Sequence, residues 1–107
     1  MGLELLQQRA RSVRARYAAV EAARHGRSWT TEEIMLGFVG DVGDLAKLVH
    51  GKAGVRPRAD LDAALARELA DCLWCVLTLA DAYDMDLGRA FTETMHELEE
   101  VLAGPDV

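Results

Sequence analysis

Apolar residues recur every three or four positions along most of the 107-residue chain, and no stretch alternates apolar and polar residues as a half-buried strand would. The clearest run lies near the N-terminus, where the apolar positions are Leu3, Leu6, Ala10, Val13, Tyr17 and Val20. Spacing of this kind places the apolar side chains on one face of a helix. The pattern restricts the chain to an all-α fold, and we predict a bundle of four helices.

Glycine, proline and capping residues divide this pattern into four segments. Gly26 can end the first helix, and Thr30 or Thr31 can cap the second. Asp60 can cap the third helix after the loop GKAGVRPRAD, and the corner YDMD precedes the fourth. The predicted helices span about residues 3–24, 30–50, 60–84 and 86–102, within a single domain of residues 1–107.

The composition limits the partners and the compartment. The net charge is −6 and the pI is about 4.9, which argues against binding to nucleic acid or to anionic membranes. The N-terminal stretch MGLELLQQRARSVRARY has no continuous apolar core and no segment reaches membrane-spanning length, so we predict a cytoplasmic protein. A chain this small buries a modest share of its surface, so we expect a homo-oligomer to complete the bundle.

Two pairs of carboxylates interrupt the apolar segments. Asp41 and Asp44 stand three apart in FVGDVGDLAKLV, and Glu68 and Asp71 stand three apart in the next predicted helix. Residues three apart project from nearly the same face of a helix. If the two faces meet, four carboxylates converge, and they raise one another's pKa unless a cation neutralises them.

A hard divalent cation would neutralise such a cluster, and all-oxygen ligation points to Mg²⁺, with Mn²⁺ as the alternative. The competing interpretation is a solvated, salt-bridged helix face. Neither helix has a broad polar face around its acids, and the glycines at positions 37, 40 and 43 leave space beside them. From the pattern alone, the metal site and the salt-bridged face carry equal weight.

The same stretches have a familiar form. LGFVGDVGDLAKLVHGK and LARELADCLWCVLTLADAYDMDLGRAF resemble the MazG-like all-α nucleoside triphosphate pyrophosphohydrolases, and are closest in style to their dCTP-pyrophosphatase branch. In that family a helix reading roughly G-E-V-G-E-L-A precedes one reading E-L-x-D-x-L, then LA, a short corner and D-L. Here GDVGDLA, ELADCL, LADAYDMDL and RAF follow in that order, and the resemblance covers about residues 29–98.

The resemblance implies an activity and a set of site residues. Such enzymes bind Mg²⁺ through these acids and cut a nucleoside triphosphate between its α- and β-phosphates, giving a monophosphate and pyrophosphate. They assemble as homodimers or dimers of dimers. By this resemblance the metal ligands and catalytic acids are Asp41, Asp44, Glu68 and Asp71, and the implied role is to remove modified or surplus nucleotides.

The sequence also departs from the family pattern. The first pair is Asp-Asp where the family usually has Glu-Glu, so each side chain is one methylene shorter. The branch usually carries a Lys and an Asn in the last helix that contact phosphate, and Thr94 and Leu98 stand near those positions. His96 is the nearby candidate replacement. These changes support an alternative function, a catalytically weakened or inactive nucleotide-binding or regulatory protein of the same fold.

Four further residues are candidates for substrate contacts. Trp29 can stack on a base or form a hydrophobic staple at the start of the second helix, with equal weight. Trp74 can face the same cleft, although a place in the core or in a subunit interface is the stronger interpretation. Lys52 and Arg56 can meet phosphates, although ordinary loop charge is the slightly stronger interpretation. Lys52 is the better candidate of the two because relatives also show a basic residue there.

Cys72 and Cys75 have the C-x-x-C spacing of redox and zinc sites. A redox pair of this kind normally lies at a helix N-terminus after a strand, where its thiol pKa is lowered. This pair lies in the middle of a predicted helix, and a zinc site would need two more soft ligands. We therefore interpret both residues as core cysteines, with a redox or zinc module as the weaker alternative.

Overall fold

The computed structural model describes residues 2–55 and 58–105 of the chain. Within those residues the protein consists of four α-helices and contains no strand, which confirms the all-α prediction. The helices are α1 Leu3–His25, α2 Thr31–Lys52, α3 Leu61–Ala82 and α4 Leu87–Leu102. No helix of the described part is both long enough and apolar enough to cross a membrane.

Local residues explain where α1 ends and α2 begins. Gly26 adopts the left-handed conformation at φ 77° and its N–H donates to the carbonyl of Ala22, so α1 stops at the predicted glycine. Of the two candidate caps, Thr30 is the one used: its hydroxyl accepts from the Glu33 N–H, and the Glu33 carboxylate accepts from the Thr30 N–H. This reciprocal capping box fixes the first turn of α2.

The prediction that the Asp60 side chain caps α3 is wrong. Asp60 precedes α3, but its side chain makes no capping hydrogen bond, because both of its carboxylate oxygens accept from the guanidinium of Arg58. The far end of α3 comes two residues earlier than predicted. Asp84 takes a positive φ of 53° there, which turns the chain toward Asp86, whose carboxylate caps α4.

Helix α3 is the centre of the packing. It makes its most extensive contact with α2 and a smaller one with α1. An ion pair between Arg11 and Asp81, at 2.7 Å, and an edge-to-face contact between Tyr17 and Trp74 show that α1 and α3 run antiparallel. The buried apolar residues come from these three helices and are Ala10, Ile34, Leu48, Cys75, Leu77 and Ala80.

Helix α4 lies at the margin of the molecule. It contacts α1 over a small area and buries none of its own residues. The chain exposes 8061 Å², whereas a folded monomer of 11.7 kDa is expected to expose about 5,900 Å². Its radius of gyration is 17.3 Å, against about 13 Å for a compact chain of this length. One chain alone therefore does not form a closed four-helix bundle, because only three helices share its core.

Candidate functional site

The contact between α2 and α3 brings carboxylates from both helices together. Asp41 and Asp44 of α2 and Glu68 of α3 each place a carboxylate oxygen within 4.8 Å of the other two. Asp41 and Glu68 are half-buried and Asp44 is exposed. We call these three residues the acidic cluster. Three of the four predicted acids thus meet across one helix–helix contact, and the predicted convergence of all four is not seen.

Asp71, the fourth predicted acid, lies beside the acidic cluster. It follows Glu68 by three residues on α3 and is half-buried. Its charge is close enough to Glu68 to raise the pKa of that residue, yet its oxygens are not among those within 4.8 Å of one another. Asp71 instead lines the cavity described below.

The surroundings of Glu68 disfavour the charged form of its carboxyl group. Burial raises the pKa of its carboxyl group, and the negative charges of Asp41, Asp71 and Asp44 raise it further. One of its oxygens, Oε1, is buried and has no hydrogen-bond partner among the residues that the structure describes. A buried acceptor without a donor is costly, and a cation bound to it would remove that cost.

The residues of the cluster fit a small divalent cation. Mg²⁺ lies about 2.1 Å from each oxygen ligand, so ligands on opposite sides of the ion are roughly 4.2 Å apart. Neighbouring ligands lie roughly 3 Å apart, so three oxygens within 4.8 Å of one another can reach one ion with shifts of roughly 1 Å each. The shorter aspartates therefore do not keep α2 and α3 too far apart to share an ion. All the ligand atoms are oxygens, which suits Mg²⁺ and Mn²⁺.

The two cysteines are free thiols close to the acids. The Cys75 thiol donates to Oδ2 of Asp41 at 3.6 Å, and burial followed by the charge of Asp41 raises the pKa of Cys75 to about 12. Burial raises the pKa of Cys72, and the negative charges of Asp41, Glu68 and Asp71 raise it further. Both thiols are therefore protonated at neutral pH, which is unfavourable for redox chemistry and for zinc. Over residues 2–55 and 58–105, no cluster of three ligand atoms includes a cysteine.

A cavity of about 620 Å³ opens between α1, α2 and α3, and Asp41 and Asp71 form part of its wall. Three aromatic residues, Tyr17, Trp29 and Trp74, also line it. The Tyr17 and Trp74 rings meet edge to face with centroids 5.8 Å apart. The indole Nε1 of Trp74 is buried without a hydrogen-bond acceptor in the described part of the chain. Aromatic side chains and carboxylates thus line the same cavity.

Trp29 is held to the cavity wall through its main chain. Its N–H donates to Oε1 of Glu21 at 2.7 Å, and its carbonyl accepts from the guanidinium of Arg14. Arg14 and Glu21 also pair with each other at 3.5 Å, and their side chains are largely buried. Trp29 precedes the cap Thr30, so it occupies the staple position, and that position is also part of the cavity wall.

The remaining predicted contact residues lie elsewhere. Lys52, at the end of α2, pairs with Asp62 at 2.7 Å and does not line the cavity. His96 is exposed on α4, where its Nε2 lies 3.3 Å from Glu100, and it does not line the cavity either. Arg56 lies outside the described residues. The structure therefore brings Trp29 and Trp74 to the acids but does not bring Lys52 or His96 there.

Sequence reasoning did not identify the cavity wall that α1 provides. Arg14, Tyr17, Glu21 and Arg24 line the cavity from α1, and Arg67 lines it from α3. A partial signal was present, because the apolar stripe through Val13, Tyr17 and Val20 continues at helical spacing to Arg24. The register that brings α1 against α3 is a tertiary property that this spacing does not contain.

Three comparisons with known proteins found no match to this chain among protein-family models, curated proteins or solved structures.

Proposed function

We propose that this protein is a Mg²⁺-dependent nucleoside triphosphate pyrophosphohydrolase of the MazG-like all-α type. It would cut between the α- and β-phosphates to give a nucleoside monophosphate and pyrophosphate. The biological role would be the removal of modified or surplus nucleotides from the cytoplasmic pool. Mn²⁺ is the alternative metal.

The meeting of the first acid pair with Glu68 of the second carries this proposal. Like charges repel, so a bound cation would relieve a cluster of acids at a helix contact. Here Asp41 and Asp44 of α2 lie against Glu68 of α3, and Glu68 keeps an unpartnered buried oxygen. The order and spacing of these residues in the sequence resemble those of the MazG-like motifs. Geometry and motif therefore support the same site independently.

The chemistry follows from the acids. A bound Mg²⁺ would offset phosphate charge, orient the attacking water and lower the pKa of that water. Asp41, Asp44 and Glu68 would hold the ion, and Asp71, one helical turn from Glu68, would complete the ligand set or orient the water. Most of the rate gain in such a site is positional and electrostatic.

The cavity supports a nucleotide as the substrate. Its volume of about 620 Å³ is in the usual range for small-molecule sites. Trp29 and Trp74 offer aromatic surface on which a base can stack, and stacking accepts any base because every base has a π-face.

Exposed apolar surface supports assembly as a homodimer or a dimer of dimers. Phe91, Leu98 and Leu102 lie on one face of α4 and are exposed by 60%, 49% and 67%. Leu36, on α2, is a further exposed apolar side chain, with 73% of it accessible. Apolar surface of this extent is unusual on a monomer and is typical of an interface.

The test is a screen for turnover. Purified protein with Mg²⁺ or Mn²⁺ is incubated with standard and modified nucleoside triphosphates, and pyrophosphate and monophosphate are measured together. Equal release of both products from at least one triphosphate, lost on addition of EDTA, is the expected result. If none of the triphosphates tested is hydrolysed, the proposal that the protein is an enzyme is rejected.

A specific observation favours one rival, the weakened or inactive nucleotide-binding protein. Thr94 and Leu98 replace the usual phosphate-binding Lys and Asn, and neither they nor His96 line the cavity of the chain that carries them. This rival predicts that a nucleotide stabilises the protein in a thermal melt while the screen finds no products. The enzyme proposal predicts both stabilisation and products.

A further inference from the structure

Two arginines on facing helices line the cavity and have no acidic partner among the residues that the structure describes. Arg24 of α1 and Arg67 of α3 are both part of its wall. Five other arginines, Arg11, Arg14, Arg27, Arg58 and Arg89, form ion pairs with carboxylates. Within residues 2–55 and 58–105, neither Arg24 nor Arg67 has an ion pair or a hydrogen bond from its guanidinium. Arg9 and Arg16 likewise make no ion pair among the described residues, so what distinguishes the exposed Arg24 and Arg67 is their place in the cavity wall.

The register of the helices sets Arg24 opposite Arg67. Helices α1 and α3 are antiparallel, and Tyr17 faces Trp74 in the contact between them. Arg24 follows Tyr17 by seven residues on α1, and Arg67 precedes Trp74 by seven residues on α3. Seven residues are close to two full turns, or roughly 10.5 Å of helix, so both arginines return to the face that their aromatic neighbour occupies.

The cavity therefore has two levels. The aromatic level holds Tyr17 and Trp74, with Trp29 fixed beside them through Arg14 and Glu21. The charged level holds Arg24 and Arg67, and Arg67 directly precedes Glu68 of the acidic cluster. The separation of about two helical turns is comparable with the reach from a nucleobase through its sugar to the phosphate chain.

We infer that Arg24 and Arg67 bind the phosphate chain of the substrate from opposite walls of the cavity, with the base at the aromatic level. The inference rests on the proposed function, since that function places a triphosphate here. Guanidinium groups bind phosphate oxygens through paired, charge-assisted hydrogen bonds. The two arginines would thus supply the cationic contacts that Thr94 and Leu98 of α4 do not.

Inorganic tripolyphosphate is the probe, since it has the phosphate chain but no base. Its affinity is measured by isothermal titration calorimetry at a fixed Mg²⁺ concentration for the wild type and for Arg24→Ala, Arg67→Ala and Arg16→Ala. Arg16 is the matched control, because it is an exposed α1 arginine that does not line the cavity. Circular dichroism checks that each variant keeps its helices. Arg67→Lys tests whether the charge or the paired geometry matters.

We expect Arg24→Ala and Arg67→Ala each to weaken tripolyphosphate binding by about tenfold or more, because each removes hydrogen bonds to a charged group. Arg16→Ala should stay within about twofold of the wild type, and Arg67→Lys should recover part of the loss. Unchanged affinity in both alanine variants, or no binding by the wild type, overturns the inference. These results do not depend on turnover: weakened binding with no active triphosphate in the screen would leave the inference standing and the proposed enzyme rejected.

Discussion

Glu68 illustrates how a single residue can be unfavourable for stability and useful for function. It is half-buried against three other acids, and its Oε1 has no hydrogen-bond partner in the described part of the chain. Its raised pKa has a definite consequence for metal-free protein. The contribution of Glu68 to stability is greatest below the ordinary glutamate pKa of about 4.3 and falls as pH rises through its higher folded-state pKa.

We predict that Glu68→Gln changes stability and metal binding in opposite directions. Without metal at pH 7, the variant should be more stable than the wild type by about 0.5–2 kcal/mol, because it loses a buried, repelled charge. The difference should shrink toward pH 4, where Glu68 is protonated. Urea denaturation in EDTA followed by circular dichroism measures both values. A variant that is less stable at pH 7 would show that Glu68 makes a structural contact instead.

Glu21 and Arg14 act on the site through Trp29. Because they bind both main-chain polar groups of Trp29, we predict that Glu21→Ala loosens this residue and lowers the free energy of unfolding by about 1–3 kcal/mol. In a Trp74→Phe background the fluorescence of Trp29 can be followed alone. Acrylamide should quench it more strongly in Glu21→Ala than in Glu97→Ala, which alters an exposed residue of α4. Equal quenching in the two variants would contradict the positioning role.

At the scale of helices, the sequence predicts those helix ends and caps that are determined by residues within about one turn. Gly26 and the Thr30–Glu33 capping box act within a turn of the positions they define, so the end of α1 and the start of α2 follow from a few residues. Asp60 has the right residue type for a cap, but Arg58 competes for its carboxylate, and residue type alone does not resolve that competition. The acid pairs were recognisable because helical spacing determines which face they share.

The capping box of α2 predicts a pH dependence of its own. A hydrogen bond from Arg27, with one from the Thr30 main chain, lowers the pKa of Glu33 to about 2. A lowered pKa stabilises the fold above the ordinary value of about 4.3, and this contribution disappears as pH falls toward 2. Glu33→Gln should therefore lower the urea midpoint at pH 6 and have little effect near pH 2. An equal loss at both pH values would mean that the charge of Glu33 is irrelevant to the cap.

At the scale of the whole molecule, the chain has more surface than it can cover. The 8061 Å² that it exposes exceeds the expectation for a monomer by about 2,000 Å², an amount comparable with a large subunit interface. Composition indicated this need, because a short chain builds a small core. It did not indicate that α4 would be the least covered helix, since the amphipathic pattern of α4 is the same whether its partner is α1 or another subunit.

We predict that the apolar face of α4 lies in the subunit interface. Phe91→Glu combined with Leu98→Glu places two charges on that face and should convert a dimer or tetramer into smaller species. Sedimentation velocity at micromolar concentration gives the mass. His96→Glu, on the opposite face of α4, is the control and should leave the mass unchanged. A wild type that sediments as a monomer would contradict the prediction directly.

At the scale of the whole molecule, the cavity wall provided by α1 could not be predicted from the sequence. Arg24 and Arg67 are 43 positions apart in the chain and acquire a shared environment only through the antiparallel packing of α1 on α3. Their types and local spacing are ordinary for solvated helices. Only the register of the packed helices distinguishes them from Arg9 and Arg16, which do not line the cavity.

The measurement that tests the metal site most directly is a Mn²⁺ titration followed by electron paramagnetic resonance. The wild type should bind the ion, and Asp44→Asn and Glu68→Gln should each weaken binding by at least about tenfold, because each removes a charged oxygen ligand. Glu97→Gln, which removes an exposed acid of α4 far from the cluster in sequence, should bind as the wild type does. Equal affinity in all four proteins would show that Asp44 and Glu68 are not metal ligands, and the proposed active site would fall with them.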